Sequence, residues 1–193
     1  FMLNHKLPEK TKLDIPACVS RALIEDIGEG DISAILIPEC EIAKAEISAN
    51  ETAVLCGKAW VNEVFLQLDE NVQLAWHVEE GHLFDPGTIV ATIIGNARSL
   101  VSGERTALNF LQTLSATATC SRHYSLAASD SHLKILDTRK TIPGLRLAQK
   151  YAVTVGGCYN HRIGLYDAFL IKENHISVCG GISQAISRAR SID

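Results

Sequence analysis

The sequence predicts an α/β protein in which a mixed α+β unit precedes parallel strand–helix repeats. Apolar and polar residues alternate over residues 72–78, which indicates a half-buried strand. Apolar residues recur at helical spacing at Val61, Val64 and Phe65, which indicates an amphipathic helix. Beyond residue 99, short apolar runs alternate with helical patterns, an order typical of parallel βαβ units. The 193 residues, 47% of them hydrophobic, suffice for one large domain or two small ones.

Caps and turns delimit the elements of the first part of the chain. Asp14 is predicted to cap a first helix, and Gly28 is predicted to end it. Residues 43–56 alternate loosely and are rich in β-compatible residues, which predicts one long or bent strand. A Pro-Gly turn then precedes a further strand over residues 88–94. Together these elements predict an N-terminal α+β domain over residues 1–98.

The second predicted domain covers residues 99–193 and begins with a long helix over about residues 99–121. Short apolar runs over residues 133–136 and 168–171 predict two buried strands, each followed by a helix. The apolar faces of these two helices are formed by Leu145, Ala148, Ala152 and Val155, and by Ile182, Ala185, Ile186 and Ala189. This order predicts parallel strands joined by a right-handed crossover. Two parallel strands cannot bury both faces of a sheet, so the pattern predicts a fold cut short at Asp193.

Composition and cysteine placement exclude several classes of protein. The hydrophobic and charged fractions are ordinary for a globular protein, so wholesale disorder is not expected. The apolar runs are too short to cross a bilayer, and the N-terminal residues lack an apolar signal core. The six cysteines are spread without metal-type spacing, which favours reduced, packed thiols and no metal site. We therefore expect a cytoplasmic protein that spans no membrane.

Basic residues are concentrated in the second half of the chain. Residues 98–172 contain ten basic and four acidic side chains, although the whole chain carries a formal net charge of −4. This imbalance favours a local anion site. The basic residues form no runs and lack interleaved aromatic residues, so nucleic acid is a weaker alternative. The basic residues expected to lie on solvated helix faces are Arg122, Lys134, Arg146 and Lys150.

Charged residues follow directly after both predicted strands of the second domain. Residues 137–141 read Asp-Thr-Arg-Lys-Thr, and Lys172 follows the second strand in the same way. Because the carboxyl ends of parallel strands meet at one edge, we expect Arg139, Lys140 and Lys172 to share a rim. Three cations in one place repel each other unless an anion lies between them. The two-pronged guanidinium of arginine suits a planar carboxylate or a phosphate.

Two further segments carry basic residues that spacing alone does not assign. Residues 160–162 read Asn-His-Arg but follow a helix, so simple topology places them away from the strand carboxyl ends. They reach the rim only if a short extra strand or a folded loop carries them there, and His161 is otherwise a structural histidine. Arg105 also has two interpretations that spacing does not separate. It belongs to the site, or it is a surface arginine paired with a nearby acid. The acids of residues 29–31 form only a turn, and no phosphate-binding glycine motif or nucleophile elbow occurs.

Long motifs connect these segments to a known family. The chain resembles quinolinate phosphoribosyltransferase, also called nicotinate-nucleotide pyrophosphorylase (decarboxylating). The matching stretches lie, in order, at residues 25–33, 102–112, 137–146, 156–162 and 165–176. The blocks Asp-Thr-Arg-Lys-Thr-Ile-Pro-Gly-Leu-Arg and Leu-Ile-Lys-Glu-Asn-His are long and specific, so chance is a poor explanation of the match.

The resemblance implies a fold and a reaction. The fold is an N-terminal α+β sandwich-like domain followed by the first βα units of an incomplete, TIM-like α/β barrel. The reaction joins quinolinate to 5-phosphoribosyl-1-pyrophosphate with Mg²⁺, and it yields nicotinate mononucleotide, pyrophosphate and CO₂ on the route to NAD. The resemblance also implies a homodimer with active sites shared between subunits. Family members continue beyond the point that corresponds to Asp193, and acidic residues for the ribose and the metal would follow there.

The resemblance assigns roles to individual residues. Lys140, Lys172 and His161 are expected to be catalytic, and Arg105 is expected to reach the site of the other subunit. The residues expected to line the substrate pocket are Thr138, Arg139, Lys140, His161, Arg162 and Lys172. Arginines suit the two carboxylates of quinolinate, and lysines balance charge as pyrophosphate leaves. The quaternised ring serves as the electron sink for decarboxylation, so no protein nucleophile is required.

Two other functions stay open at the level of sequence. A related pyrophosphorylase that acts on another base would share the barrel and the phosphoribosyl chemistry, although the density of arginine and histidine favours a dicarboxylate. A non-catalytic protein would use the truncated fold to bind a small dicarboxylate or to form a dimer. The lack of later acidic residues in this chain favours the non-catalytic alternative.

Overall fold

The computed structural model describes residues 6–130 and 132–192 and divides into two compact units, Phe1–Asn160 and His161–Asp193. The helices of the first unit are α1 (Glu9–Ile27), α2 (Lys58–Leu68), α3 (Ala97–Ala127) and α4 (Arg146–Val155). Its strands are β1 (Ile42–Ser48), β2 (Ala53–Val54), β3 (Gln73–Trp76), β4 (Leu83–Phe84) and β5 (Ile89–Asn96). The second unit contains α5 (Glu173–Cys179) and α6 (Ile182–Arg190). Among the described residues, no helix is both long enough and apolar enough to cross a bilayer.

Helix α1 begins at Glu9 and not at the predicted cap Asp14. The amides of Thr11 and Lys12 both donate to the carbonyl of Pro8 at 3.0 Å, so the helix is already formed before Asp14. Proline suits a helix start because its missing N–H is not needed there. The predicted end at Gly28 is confirmed, because Gly28 has a φ of 57° and closes the last turn.

The first unit is built on an antiparallel sheet in which β5 lies between β1 and β3. The single strand predicted over residues 43–56 is wrong, because the register of β1 against β5 shifts between Ile47 and Ser48. The chain then leaves this sheet, and β2 pairs with β4 in a separate two-stranded sheet. An amide of β2 also bonds to α3, where Val54 donates to the hydroxyl of Thr119 at 2.9 Å. The strands predicted over residues 72–78 and 88–94 are confirmed as β3 and β5.

The hydrophobic core of the first unit lies where α1, α2, α3 and α4 meet the strands. Its largest fully buried side chains are Trp60, Leu55, Leu114, Val19, Val54, Val61, Val64, Val90, Val155 and Cys56. Burial of these apolar side chains stabilises the first unit. Burial also raises the pKa of the Cys56 thiol well above its usual value, so this cysteine stays protonated and inert.

Glu80 takes the place of a side-chain cap at the start of α2. Its two carboxylate oxygens accept hydrogen bonds from the amides of Gly57 at 2.9 Å and Lys58 at 3.2 Å. A negative charge is favourable at this end of a helix. The hydroxyl of Tyr151 on α4 bonds to the same carboxylate, and burial raises the pKa of that hydroxyl far above its usual value. The ring of Tyr151 packs on Trp60 with centroids 5.8 Å apart, so α2 and α4 are held together by polar and apolar contacts.

Helix α3 extends beyond the predicted range of residues 99–121 at both ends. Its earlier start is set by the side chain of Asn96, which caps the helix by accepting from the amide of Arg98 at 3.0 Å. It packs closely against the end of α4. A Cβ atom at Gly156 would lie 2.2 Å from the carbonyl oxygen of Ala118 and 2.5 Å from Cβ of Ser121. Only glycine therefore allows the end of α4 to approach α3 so closely.

Substitution of Gly156 by alanine is expected to lower the free energy of unfolding by about 1–3 kcal/mol, because the backbone of α3 must move away. The measurement is urea unfolding followed by circular dichroism. Gln112→Ala, an exposed change on α3, serves as the control and is expected to stay within about 0.5 kcal/mol. Equal stability of Gly156→Ala and the control would contradict the close contact.

The strand predicted over residues 133–136 is reduced to one parallel bridge between Leu136 and Tyr159. The prediction that this strand is buried is wrong for the described residues, because Leu133 and Leu136 are exposed. A strand becomes buried only where neighbours cover its faces, and among the described residues only Tyr159 bridges to it. The helix predicted after it is confirmed as α4, with Ala148, Ala152 and Val155 buried.

The second unit consists of a loop, the short helix α5 and the helix α6. The strand predicted over residues 168–171 is wrong, because no ladder forms there among the described residues and Phe169 is exposed. Helix α5 is an element that the sequence did not predict. The predicted helix around Ala185 is confirmed as α6, although Ile182 and Ile186 on its apolar face remain partly exposed within this chain.

Candidate active site

The predicted strand end at residues 137–141 is set by the bridge to Tyr159. The amide of Asp137 donates to the carbonyl of Tyr159 at 3.0 Å, and the amide of Tyr159 donates to the carbonyl of Ile135 at 2.9 Å. Because the bridge is parallel, the chain leaves Asp137 and Tyr159 in the same direction. Asn160 therefore lies beside Asp137. This short extra pairing brings Asn160 to the strand end.

A buried ion pair lies directly beneath this strand end. Nζ of Lys150 lies 2.6 Å from Oδ1 of Asp137, and the two side chains are only 3% and 8% exposed. With its amide nitrogen facing Asp137, Asn160 donates to Oδ2 of Asp137 at 2.7 Å and to the carbonyl of Lys150 at 2.9 Å. The expectation that Lys150 lies on a solvated helix face is therefore wrong. Helix periodicity does not show which face of α4 meets the strand end.

The loop after Asp137 is closed by local hydrogen bonds. The hydroxyl of Thr138 accepts from the amide of Lys140 at 3.0 Å, and the hydroxyl of Thr141 accepts from Nε of Arg146 at 3.2 Å. Arg139 is half-buried, and its Nε is inaccessible to solvent and has no hydrogen-bond partner among the described residues. A buried donor without a partner is costly, so this guanidinium is suited to receive an anion. The side chain of the next residue, Lys140, is exposed.

In the second unit, hydrogen bonds orient His161 and Arg162. Nδ1 of His161 accepts from the amide of Arg162 at 2.7 Å, so the neutral ring carries its proton on Nε2. Nη1 of Arg162 donates to the carbonyl of Ala168 at 3.1 Å, whereas its buried Nε has no partner among the described residues. The carboxylate of Asp167 closes the loop by accepting from the amides of Ile163 at 2.7 Å and Gly164 at 2.8 Å.

Lys172 is exposed at the start of α5, where its amide donates to Nδ1 of His175 at 3.1 Å. It belongs to the second unit, whereas Thr138, Arg139 and Lys140 belong to the first. The expectation that these residues share one rim stays a prediction.

Arg105 projects from α3 as an exposed side chain that forms no ion pair with a described residue. Two bonds fix the helix around it. The hydroxyl of Ser102 donates to Oδ2 of Asp31 at 2.8 Å, and the hydroxyl of Thr106 donates to Oδ2 of Asp26 at 3.4 Å. Bonds from backbone amides and from Ser102 lower the pKa of the Asp31 carboxyl below its usual value. Asp31 is thus more than the simple turn residue that its sequence context indicated.

The described residues hold no group of three or more His, Cys, Asp or Glu side chains that could bind a metal ion. These residues alone do not form a complete protein site for Mg²⁺.

Comparison with known proteins agrees with the motifs. The sequence models of the N-terminal and C-terminal domains of quinolinate phosphoribosyl transferase match residues 31–115 and 117–192. A relative from Bacillus subtilis, named probable nicotinate-nucleotide pyrophosphorylase [carboxylating], is 44% identical over 92% of this chain and 62% of its own length. A chloroplastic nicotinate-nucleotide pyrophosphorylase from Oryza sativa is 40% identical over 93% of this chain and 48% of its own.

Solved structures show the same likeness. The nicotinate-nucleotide pyrophosphorylase from Francisella tularensis superposes with a TM-score of 0.92 at 44% identity, over 98% of this chain and 66% of that one. The protein of that name from Ehrlichia chaffeensis gives a TM-score of 0.86 at 37% identity, over 91% and 64%. The predicted fold class, an N-terminal α+β domain followed by part of a TIM-like barrel, is confirmed. This chain spans about half to two thirds of the relatives it matches, and it belongs to the quinolinate phosphoribosyl transferase family.

Proposed function

We propose that the protein transfers the phosphoribosyl group of 5-phosphoribosyl-1-pyrophosphate to quinolinate and releases pyrophosphate and CO₂, forming nicotinate mononucleotide for NAD synthesis. The observation that carries this proposal is Arg139. Its half-buried guanidinium has an inaccessible Nε without a partner among the described residues, in a family-matched motif at a strand end. A planar guanidinium in such a position can donate two parallel hydrogen bonds to one carboxylate of a pyridine dicarboxylate, which a water molecule cannot accept in the same way.

The other predicted site residues offer hydrogen-bond donors that suit quinolinate. Arg162 presents a second guanidinium whose Nε has no described partner, which suits the second carboxylate of quinolinate. Nδ1 of His161 accepts from the amide of Arg162, and we propose that this ring belongs to the substrate site. The hydroxyl of Thr138 accepts from Lys140 and so keeps its own proton available for a donor role.

Lysines are the proposed electrostatic catalysts. The ring nitrogen of quinolinate attacks the anomeric carbon as the bond to pyrophosphate breaks, and negative charge accumulates on the leaving group. Lys140 and Lys172 are both exposed point charges that can stabilise this charge. Decarboxylation follows, and the electron pair of the breaking bond is stabilised by the cationic ring before protonation. No protein nucleophile takes part.

We further propose that Mg²⁺ arrives with the pyrophosphate of the substrate, since this ion is often held by substrate phosphates with few protein ligands. The protein is proposed to be a homodimer in which Arg105 serves the other subunit's site. We also propose a cytoplasmic location. Some plant relatives carry a mitochondrial or chloroplastic location in their names, so cell fractionation is the test of that location.

The direct test is turnover by the protein at its natural full length. Quinolinate labelled in the carboxylate next to the ring nitrogen is supplied with 5-phosphoribosyl-1-pyrophosphate and Mg²⁺, and released CO₂ is counted. We expect release that depends on both substrates, in a one-to-one ratio with nicotinate mononucleotide. Nucleotide formation from nicotinate but not from quinolinate would instead identify a pyrophosphorylase for another base.

A further inference from the structure

The ion pair of Lys150 and Asp137 is unusual because both charges are buried. A lysine that is 3% exposed and an aspartate that is 8% exposed have both lost most of their hydration. Such pairs stabilise a fold weakly or not at all, because the desolvation cost offsets the attraction between the charges. A pair of apolar residues would serve folding as well. The geometry around the pair therefore needs a reason other than stability.

The pair joins the two segments that lead to the proposed substrate-binding residues. Lys150 binds Asp137 through its side chain and Asn160 through its backbone carbonyl. Asn160 in turn binds the second oxygen of Asp137. Asp137 immediately precedes Thr138 and Arg139, and Asn160 immediately precedes His161. One buried lysine thus fixes the residue before each binding segment.

The helix that carries Lys150 is well packed around it. Its neighbour Tyr151 is buried against Trp60 and bonds to Glu80 at the start of α2. Ala152 and Ala148 on α4 are fully buried as well. A charge-assisted bond of 2.6 Å from such a helix holds the carboxylate of Asp137 in one orientation. A displacement of about 1 Å at a reacting group can cost roughly a hundredfold in rate or binding, so this restraint matters for function.

We propose that Lys150 is a positioning residue, which orients the Thr138–Arg139 segment through Asp137 and the start of the His161 segment through Asn160. The proposal rests on the proposed function, because it concerns the same quinolinate site. Lys150 does not touch substrate. It holds Asp137 and Asn160, the residues that directly precede the two segments.

The test compares quinolinate affinity with stability in the full-length protein. Lys150→Met removes the ammonium group but keeps a similar length, and Asp137→Asn with Lys150→Met removes both charges. The control is Lys44→Met, because Lys44 pairs with Glu46 at the same distance of 2.6 Å while the two side chains are 59% and 39% exposed. Calorimetry gives the dissociation constant, and thermal unfolding gives Tm for each variant.

Lys150→Met is expected to bind quinolinate at least about tenfold more weakly and to have a lower Tm, because the buried carboxylate of Asp137 loses its ammonium partner. The double variant is expected to regain Tm but not affinity, and Lys44→Met is expected to change neither.

Wild-type affinity in either Lys150 variant would overturn the positioning role. A double variant that regains affinity together with Tm would overturn it as well. Failure of the unmodified protein to bind quinolinate would overturn both this inference and the proposed function. If Lys150→Met does not fold, the double variant alone decides.

Discussion

Replacing Arg139 with alanine is expected to weaken quinolinate binding by about a hundredfold or more. The guanidinium of Arg139 offers a buried Nε that no described residue engages, and a carboxylate would accept from it and from the adjacent nitrogens. Truncating one partner of a buried, hydrogen-bonded charge pair costs about 2–5 kcal/mol. The measurement is isothermal titration of the full-length protein with quinolinate.

Two comparison variants separate charge from geometry in that experiment. Arg139→Lys keeps the charge but loses the two-pronged donor, so an intermediate affinity is expected. Arg122→Ala removes an exposed arginine from α3 and is expected to leave the affinity unchanged. Equal affinities for Arg139→Ala and the unmodified protein would contradict the assignment of Arg139 to the dicarboxylate.

Replacing Arg105 with alanine is expected to abolish most turnover while leaving the fold intact. The side chain is exposed and makes no ion pair with a described residue, so its removal leaves no unpaired group. The bonds of Ser102 to Asp31 and of Thr106 to Asp26 hold this part of α3 in place independently of Arg105. An exposed arginine on a helix that is held in this way, with no ion-pair partner among the described residues, suits a ligand bound in the site of another subunit. The measurement is the steady-state rate of CO₂ release.

Mixing experiments identify the subunit on which Arg105 acts. Arg105→Ala and Arg139→Ala are each expected to be inactive, and the two are refolded together in equal amounts. If Arg105 acts in trans, each mixed dimer has one site free of both changes, so about one quarter of all sites regain activity. If Arg105 acts in its own subunit, mixing restores nothing, and the shared-site proposal is wrong.

Local patterns in the sequence predicted much of the first unit. Helical spacing at Val61, Val64 and Phe65 identified α2, and strict alternation identified β3. These predictions hold because each element buries one face against the same core. Residues 43–56 form two strands because a register shift at Ile47 and the partners β4 and β5 decide the break. Such partners are distant in sequence, and local alternation carries no information about them.

The position of a candidate site residue at a strand end was predictable where charged residues come directly after an apolar strand in the sequence. The order of residues 137–141 placed Arg139 and Lys140 at a strand end, and that end is formed by the bridge to Tyr159. The burial of Lys150 was not predictable, because helix periodicity alone does not say what covers each face. The same limit applies to Asp31, whose bond to Ser102 joins segments far apart in the chain.

The most direct test of the central proposal is calorimetric titration of the full-length protein with quinolinate, with nicotinate as the matched control. The two ligands differ by one carboxylate, so their comparison isolates the group that the second arginine is proposed to bind. We expect quinolinate to bind at least about tenfold more tightly, since a charge-assisted hydrogen bond contributes about 1.5–3 kcal/mol. Equal affinity for the two ligands, or binding of neither, would contradict the proposed dicarboxylate specificity.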